Sequence, residues 1–225
     1  MALGIASFTP RTISWLYAAV SMANATAQLI PSEHLDRFTK PLLMPLLLFY
    51  VYQKSIGSTT LKILFLSGAI LFSWFGDLAL MYHGNEIYFI LGIASFIIAQ
   101  ILYIIILRKA VYQRLTFTAQ KFLPLIMCAV VFLYVLLPIE VFAVPVIVYW
   151  LATLVTTVTA YFRKDITSME SYKTALRGSV LFLLSVSILV INTCNQPVAY
   201  GGFFMALAYC AAQFFLTGGI LKHVD

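Results

Sequence analysis

The chain has 225 residues, of which 62% are hydrophobic and 10% charged, with a formal net charge of +6. A soluble domain carries roughly 25% charged residues to present a wet surface, so these charges are too few to cover a globule. The basic residues are dispersed between apolar runs and form no patch, which argues against a nucleic-acid partner. A mean hydropathy of +0.97 instead points to an all-α polytopic membrane protein, because helices pair their own backbone polar groups inside lipid.

Apolar runs of about 20 residues match the hydrocarbon core of a bilayer, and eight spans are expected in a single transmembrane domain covering 1–225. The first, about 12–31, follows Arg11 and contains Asn24 and Gln28. It lacks a clean small-residue cleavage site and so reads as a span rather than a leader. The second, about 39–53, opens on Lys40-Pro41, where proline at a first turn loses no hydrogen bond, and Pro45 is expected to kink it. The third and fourth are placed at about 61–82 and 86–107. The fifth and sixth, about 121–138 and 141–162, form a hairpin around Pro138-Ile139-Glu140, with Pro145 near the start of the sixth. The last two lie at about 176–192 and 200–221.

With the N-terminus inside, all of the 14 basic residues except Arg37 and Lys40 fall in inner segments. Such a bias sets orientation, supports an even number of spans and places both termini in the cytoplasm. Cys128, Cys194 and Cys210 lack metal-ligand spacing; a disulfide framework is not expected, and neither is a metal or another cofactor. A bacterial inner or plasma membrane is the expected location, or the endoplasmic reticulum in a eukaryote.

Asp77 is the most informative residue. It lies within an apolar stretch near the outer end of the third span, where a carboxylate costs about 2–3 kcal/mol or more and should face the bundle or a wet cavity. It reads either as a general acid or as an interhelical hydrogen-bonding group without chemistry. Ser73, one turn away on the same face, reads as helix–helix packing more readily than as a nucleophile. His34 and His83 lie in outer loops and His223 at the C-terminus, too scattered for a triad or a zinc site. Gln100 with Tyr103, Tyr209 with Gln213, and Ser185 with Ser187 supply further mid-span polar groups, which either line a pocket or tie helices together. Gly92, Ser95 and Ala99, like Gly202 and Ala206, form small-residue stripes read as packing. Lys40 is an interfacial lysine that either snorkels, pairs with Asp77 or holds a lipid phosphate.

Four of these stretches, in order, resemble the YhhN/TMEM86 family of membrane proteins. They are Lys40-Pro41-Leu42-Leu43-Met44-Pro45, Ser73 through Leu80 around Gly76-Asp77, Gly92 through Tyr103, and Gly178 through Ser187 with Tyr209 through Phe214. The resemblance implies an eight-helix bundle and lysoplasmalogenase activity, the hydrolysis of the vinyl-ether bond of a lysoplasmalogen to release a fatty aldehyde. Carried over by motif, Asp77 is the general acid and Gln100 its polar partner. Only Lys40, Asp77, Gln100 and Tyr209 are carried over in this way. In the reading of the residues themselves, Lys40 binds the head-group phosphate, Gln100 and Tyr103 position water or the glycerol hydroxyl, and Ser73, Ser185, Tyr209 and Gln213 complete the substrate site. The implied partners are a lysophospholipid and membrane lipids. Gln100 stands where many members have histidine, and Val186 where many have an acid. The reading set against this one is a lipid-binding or lipid-transport protein of the same fold without catalysis.

Overall fold

A computed structural model of the chain describes residues 9–30, 33–56, 60–82, 85–111, 144–194 and 198–223. Those residues form seven helices and no strand: α1 (Pro10–Ala27), α2 (Glu33–Lys54), α3 (Leu61–Leu80), α4 (Glu86–Val111), α5 (Val144–Tyr161), α6 (Met169–Cys194) and α7 (Gly201–Leu221). Five of them, α3 to α7, are long and apolar enough to cross a membrane, and the chain is an integral membrane protein. The expected fifth span, 121–138, and Cys128 lie outside the described residues.

Local chemistry sets several helix ends. Thr9 caps α1, its hydroxyl accepting from the Thr12 amide at 3.3 Å, with Pro10 at the first helical position; Thr60 does the same for α3 from Ile63 at 3.4 Å. Both use a side-chain oxygen to satisfy an amide that the first turn leaves unpaired. Pro145 lies in the first turn of α5, where its missing N–H is not needed.

The second helix departs from expectation. It begins at Glu33, so Pro41 and Pro45 are both interior rather than at its start. Pro45 has no amide proton for the carbonyl four residues back, which is that of Pro41. The indole Nε1 of Trp74, on α3, donates to that freed carbonyl at 2.9 Å. Trp74→Phe is therefore expected to lower the thermal midpoint in detergent, at a cost of about 1–2 kcal/mol for the abandoned carbonyl. Adding Pro45→Ala, which restores the amide donor, should recover most of the loss. Equal losses with and without Pro45→Ala would show that Trp74 acts through packing alone.

The helices form a ring in chain order, closed by α1 against α7, with the α6–α7 pair in the most extensive contact. Two glycines make that crossing very tight. A Cβ on Gly178 would lie 2.3 Å from the Leu216 amide nitrogen, and one on Gly219 would lie 2.4 Å from that of Ala175. The same logic joins α3 and α4, where a Cβ on Gly76 would meet the Phe96 ring at 2.7 Å, and one on Gly92 would meet Leu80 at 2.9 Å.

Helix α3 shows why composition alone hid the inward face. Leu66, Ala69, Ile70, Ser73, Gly76 and Asp77 point inward, while Leu61, Leu64, Leu71 and Phe75 are exposed. Both stripes follow helical spacing and both are apolar except for Ser73 and Asp77, as expected when the surrounding solvent is hydrocarbon.

Charge is segregated along the bundle axis. Arg37 and Lys40 lie at the end where α1 finishes and α2 starts, whereas Lys54, Lys62, Arg163, Lys164, Lys173, Arg177 and Lys222 lie at the opposite end. At that basic end Arg163, 2% exposed, donates from Nη2 to the Ser171 hydroxyl at 3.0 Å, and Ser171 donates to the Gly219 carbonyl at 2.7 Å. Burial pushes the Arg163 guanidinium down to about 10, which leaves it charged at neutral pH.

Candidate functional site

All seven helices contribute to one cavity of about 90 Å³ at the less basic end of the bundle. Its walls carry Lys40 from α2, Asp77 from α3, Phe96 from α4, Tyr149 from α5, Ser185 and Val186 from α6, and Tyr209 from α7. Asn24, in the last turn of α1, and Gln28, its C-cap, form its rim. Asp36, one turn before Lys40, fixes that rim: its Oδ1 accepts from Asn24 at 2.9 Å and from Gln28 at 2.8 Å.

Asp77 is 3% exposed. Its Oδ2 accepts from the Tyr209 hydroxyl at 2.8 Å. Oδ1 has no protein donor among the described residues, yet it is not one of the sealed, unpartnered polar atoms. The free oxygen therefore opens into the cavity. Lys40, half-buried in the same wall, makes no ion pair or hydrogen bond among the described residues. A carboxyl oxygen and an ammonium thus face one small hollow without neutralising each other by contact.

Tyr209 is held on three sides. The Phe96 and Phe182 rings pack perpendicular to its ring, with centroids 5.9 and 5.6 Å away. Behind it, Gln213 donates from Nε2 to the Tyr209 oxygen at 3.4 Å and to Ser73 at 2.9 Å, and its Oε1 accepts from Tyr103 at 2.6 Å. This network uses both amide protons and the amide oxygen. A carboxamide does not readily pass a proton on, so the chain positions Tyr209 and is not a wire to Asp77.

A second glutamine does a similar task. The Thr156 hydroxyl lies 2.7 Å from Gln100 Oε1 and 3.1 Å from the Ala152 carbonyl, while Gln100 Nε2 is buried without a partner. One hydroxyl has one proton, so it serves two acceptors only by dividing that proton between them. Turning the Gln100 amide over resolves both defects: Nε2 donates to Thr156, Thr156 donates to Ala152, and Oε1 faces the neighbouring Tyr149 hydroxyl. Two glutamines behind the wall thus each steady a tyrosine on it.

The eight residues singled out from sequence therefore divide. Lys40, Asp77, Ser185 and Tyr209 line the cavity, with Ser185 bonded to the Met205 carbonyl at 2.9 Å. Ser73, Gln100, Tyr103 and Gln213 are fully buried behind the lining. Ser187 is tied to the Trp150 indole at 2.8 Å. Sequence reasoning missed Tyr149, because an aromatic residue between Val146 and Trp150 reads as ordinary core. It also passed over the rim formed by Asn24, Gln28 and Asp36. A signal for the rim was present, since Asn24 and Gln28 are one helical turn apart.

Among the described residues, no group of three or more His, Cys, Asp or Glu side chains has the arrangement of a metal site.

A family model described as the YhhN family matches residues 35–220. The chain belongs to the YhhN family. No curated protein and no solved structure matches it. The match takes in every YhhN-region wall residue from Lys40 to Tyr209, whereas Asn24 and Gln28 precede it. In this YhhN protein Val186 lines the cavity, so the wall position carries a branched hydrocarbon and Asp77 is the carboxyl group among the lining residues.

Proposed function

We propose that this protein is a membrane-embedded hydrolase of lysoplasmalogen-like lysophospholipids that cleaves the vinyl-ether bond and releases a fatty aldehyde. Family membership supports this class of reaction. The observation that carries it is the open Oδ1 of Asp77 sharing a cavity with Lys40, which has no ion-pair or hydrogen-bond partner among the described residues. A cavity of about 90 Å³ has room for several waters, each needing about 10–15 Å³, but not for a whole lipid. The head group and the vinyl ether enter it, and the tail lies along Leu43, Leu80, Leu189 and Met205 towards the bilayer.

Vinyl-ether hydrolysis starts with transfer of a proton to the alkene carbon that is not bonded to oxygen. Protonated Oδ1 of Asp77 is the donor, and the product is an oxocarbenium ion next to a carboxylate. The Tyr209 hydroxyl, donating to Oδ2, stabilises that carboxylate as it forms. The carboxylate then takes a proton from the water that adds to the cation. Collapse of the resulting hemiacetal gives the aldehyde and the glycerophospho compound, and Asp77 is protonated again. Lys40 holds the head-group phosphate. In an eight-span arrangement with both termini cytoplasmic, as proposed for a plasma or inner membrane, this cavity would lie in the outer half of the bilayer.

Purified protein is expected to release aldehyde from a lysoplasmalogen and none from the saturated alkyl-ether analogue, which has no alkene to protonate. Lys40→Met should raise KM by about tenfold, the worth of one charge-assisted phosphate contact, with a smaller change in kcat. The Val186 wall gives a second reading some footing, that of a lipid-binding protein without catalysis. Saturable binding of the lysoplasmalogen with no aldehyde under any condition would select it.

A further inference from the structure

A second concavity lies at the opposite, basic end of the molecule and has no part in the reaction above. It encloses about 330 Å³ between α2, α6 and α7. Its charged wall is Lys173 and Arg177, one helical turn apart on α6, with Lys222 from α7 and the carboxylate of Glu170. Lys222 is already committed, donating to Glu170 at 2.7 Å and to Thr174 at 3.4 Å. Lys173 and Arg177 have no acceptor among the described residues. The facing wall is Tyr50, Phe214 and Phe215. Gly218 forms part of the lining, and a Cβ built there would meet nothing within 4 Å.

We propose that this cleft binds the phosphate head group of an anionic membrane phospholipid. Two uncommitted cations a turn apart match a phosphate diester, whose oxygens accept from both guanidinium and ammonium donors. The aromatic and aliphatic wall opposite them suits the glycerol and upper acyl region rather than a free ion. Location favours the bilayer as the source. The two cations lie in the first turns of a spanning helix, the depth at which lipid phosphates lie, and basic segments are drawn to the leaflet that holds anionic lipid. The bound lipid would join α6 and α7 to α2 from outside the ring, away from the Asp77 cavity.

The test is lipid retention by the full chain in detergent, read by native mass spectrometry against equimolar phosphatidylglycerol and phosphatidylcholine. Wild type is expected to keep phosphatidylglycerol about tenfold better. Arg177→Ala should remove most of that preference. Lys164→Ala, which deletes one charge from the same end outside the cleft, should leave it intact. Gly218→Leu fills the hollow without changing any charge and should also abolish the preference, at unchanged helix content. Equal losses in Arg177→Ala and Lys164→Ala would reduce the effect to general electrostatics and overturn the site. So would a wild type that does not distinguish the two lipids, or a preference surviving in a folded Gly218→Leu. Displacement of the lipid by a modest excess of glycerol phosphate would identify a soluble phosphate ester as the ligand and overturn the lipid assignment.

Discussion

Asp77→Asn is expected to reduce aldehyde release from a lysoplasmalogen by about 10²–10⁴-fold, the usual contribution of a positioned general acid, and to leave lipid binding within a few-fold of wild type. The substitution suits the geometry. Asparagine has the same shape, and its carboxamide oxygen can still accept from Tyr209, whose hydroxyl is 2.8 Å from the Asp77 carboxylate. Only the transferable proton is lost. Tyr209→Phe removes the hydrogen bond that stabilises the developing carboxylate but keeps the ring between Phe96 and Phe182; a loss of about 10–100-fold is expected, smaller than that for the acid itself. Gln213→Leu should fall between wild type and Tyr209→Phe, because it acts on Asp77 through Tyr209. The measurement is initial aldehyde production at saturating substrate, with thermal midpoints recorded for each variant. Full activity in a folded Asp77→Asn protein would leave the reaction without its proton donor, and the lipid-binding reading would then stand.

The largest effect on stability is expected from a single methyl group. Gly178→Ala places a carbon 2.3 Å from the backbone nitrogen and 2.8 Å from the Cα of Leu216. A flexible side chain could swing aside, but a helix backbone cannot, so α6 and α7 must separate. Overpacking of this kind costs about 1–3 kcal/mol when side chains can yield, and the upper end or beyond is expected here. Gly219→Ala should behave alike, against the amide nitrogen of Ala175 at 2.4 Å. Gly218→Ala, at the adjacent position with open space before it, should be neutral or stabilising by up to about 1 kcal/mol, since alanine is the better helix former. Unfolding midpoints in detergent separate the three. A Gly178→Ala protein as stable as wild type would mean that the two backbones are not in contact. Separation of α7 would also move Tyr209 away from Asp77, so activity should fall with stability at Gly178 and Gly219 but not at Gly218.

These two experiments probe residues of unequal visibility in the sequence. Asp77 was visible because an acid inside an apolar run has no cheap explanation. Lys40 was visible because it opens a proline-bearing segment. Gly178 stood in a recognisable motif, but its importance was not apparent: a glycine matters for packing only where another backbone approaches it. The same holds for the polar residues of the interior. Gln100 and Gln213 looked alike, as did Tyr103 and Tyr209; Gln100 lies one helical turn from Tyr103, and Tyr209 one turn from Gln213. Helical spacing puts such residues on a common face, but it does not say whether that face meets a hollow or another helix. Tyr209 met the hollow; Tyr103 and both glutamines met helices.

The second helix shows the opposite case, in which a local rule was sound but outweighed. Proline belongs at a first turn because its missing donor is harmless there, and 39–53 followed from that rule. The structure extends the helix back to Glu33 and so makes Pro41 interior, and the carbonyl that the second interior proline, Pro45, leaves free is taken by Trp74, thirty-three residues away in sequence. No local pattern contains that hydrogen bond.

Composition and periodicity thus determined by themselves that this chain is helical, lies in a membrane, concentrates its positive charge at alternate ends of its spans and buries one carboxyl group within them. Each of these follows from a cost borne by a single segment in hydrocarbon, whether an unpaired amide or an unsolvated charge, and a segment's own residues are enough to show it. Which polar groups share the cavity, which glutamine steadies which tyrosine and where two backbones touch were decided by the tertiary structure. Those outcomes depend on distances between helices, and helices that are apolar on every side do not record in their own sequence which neighbour they will meet.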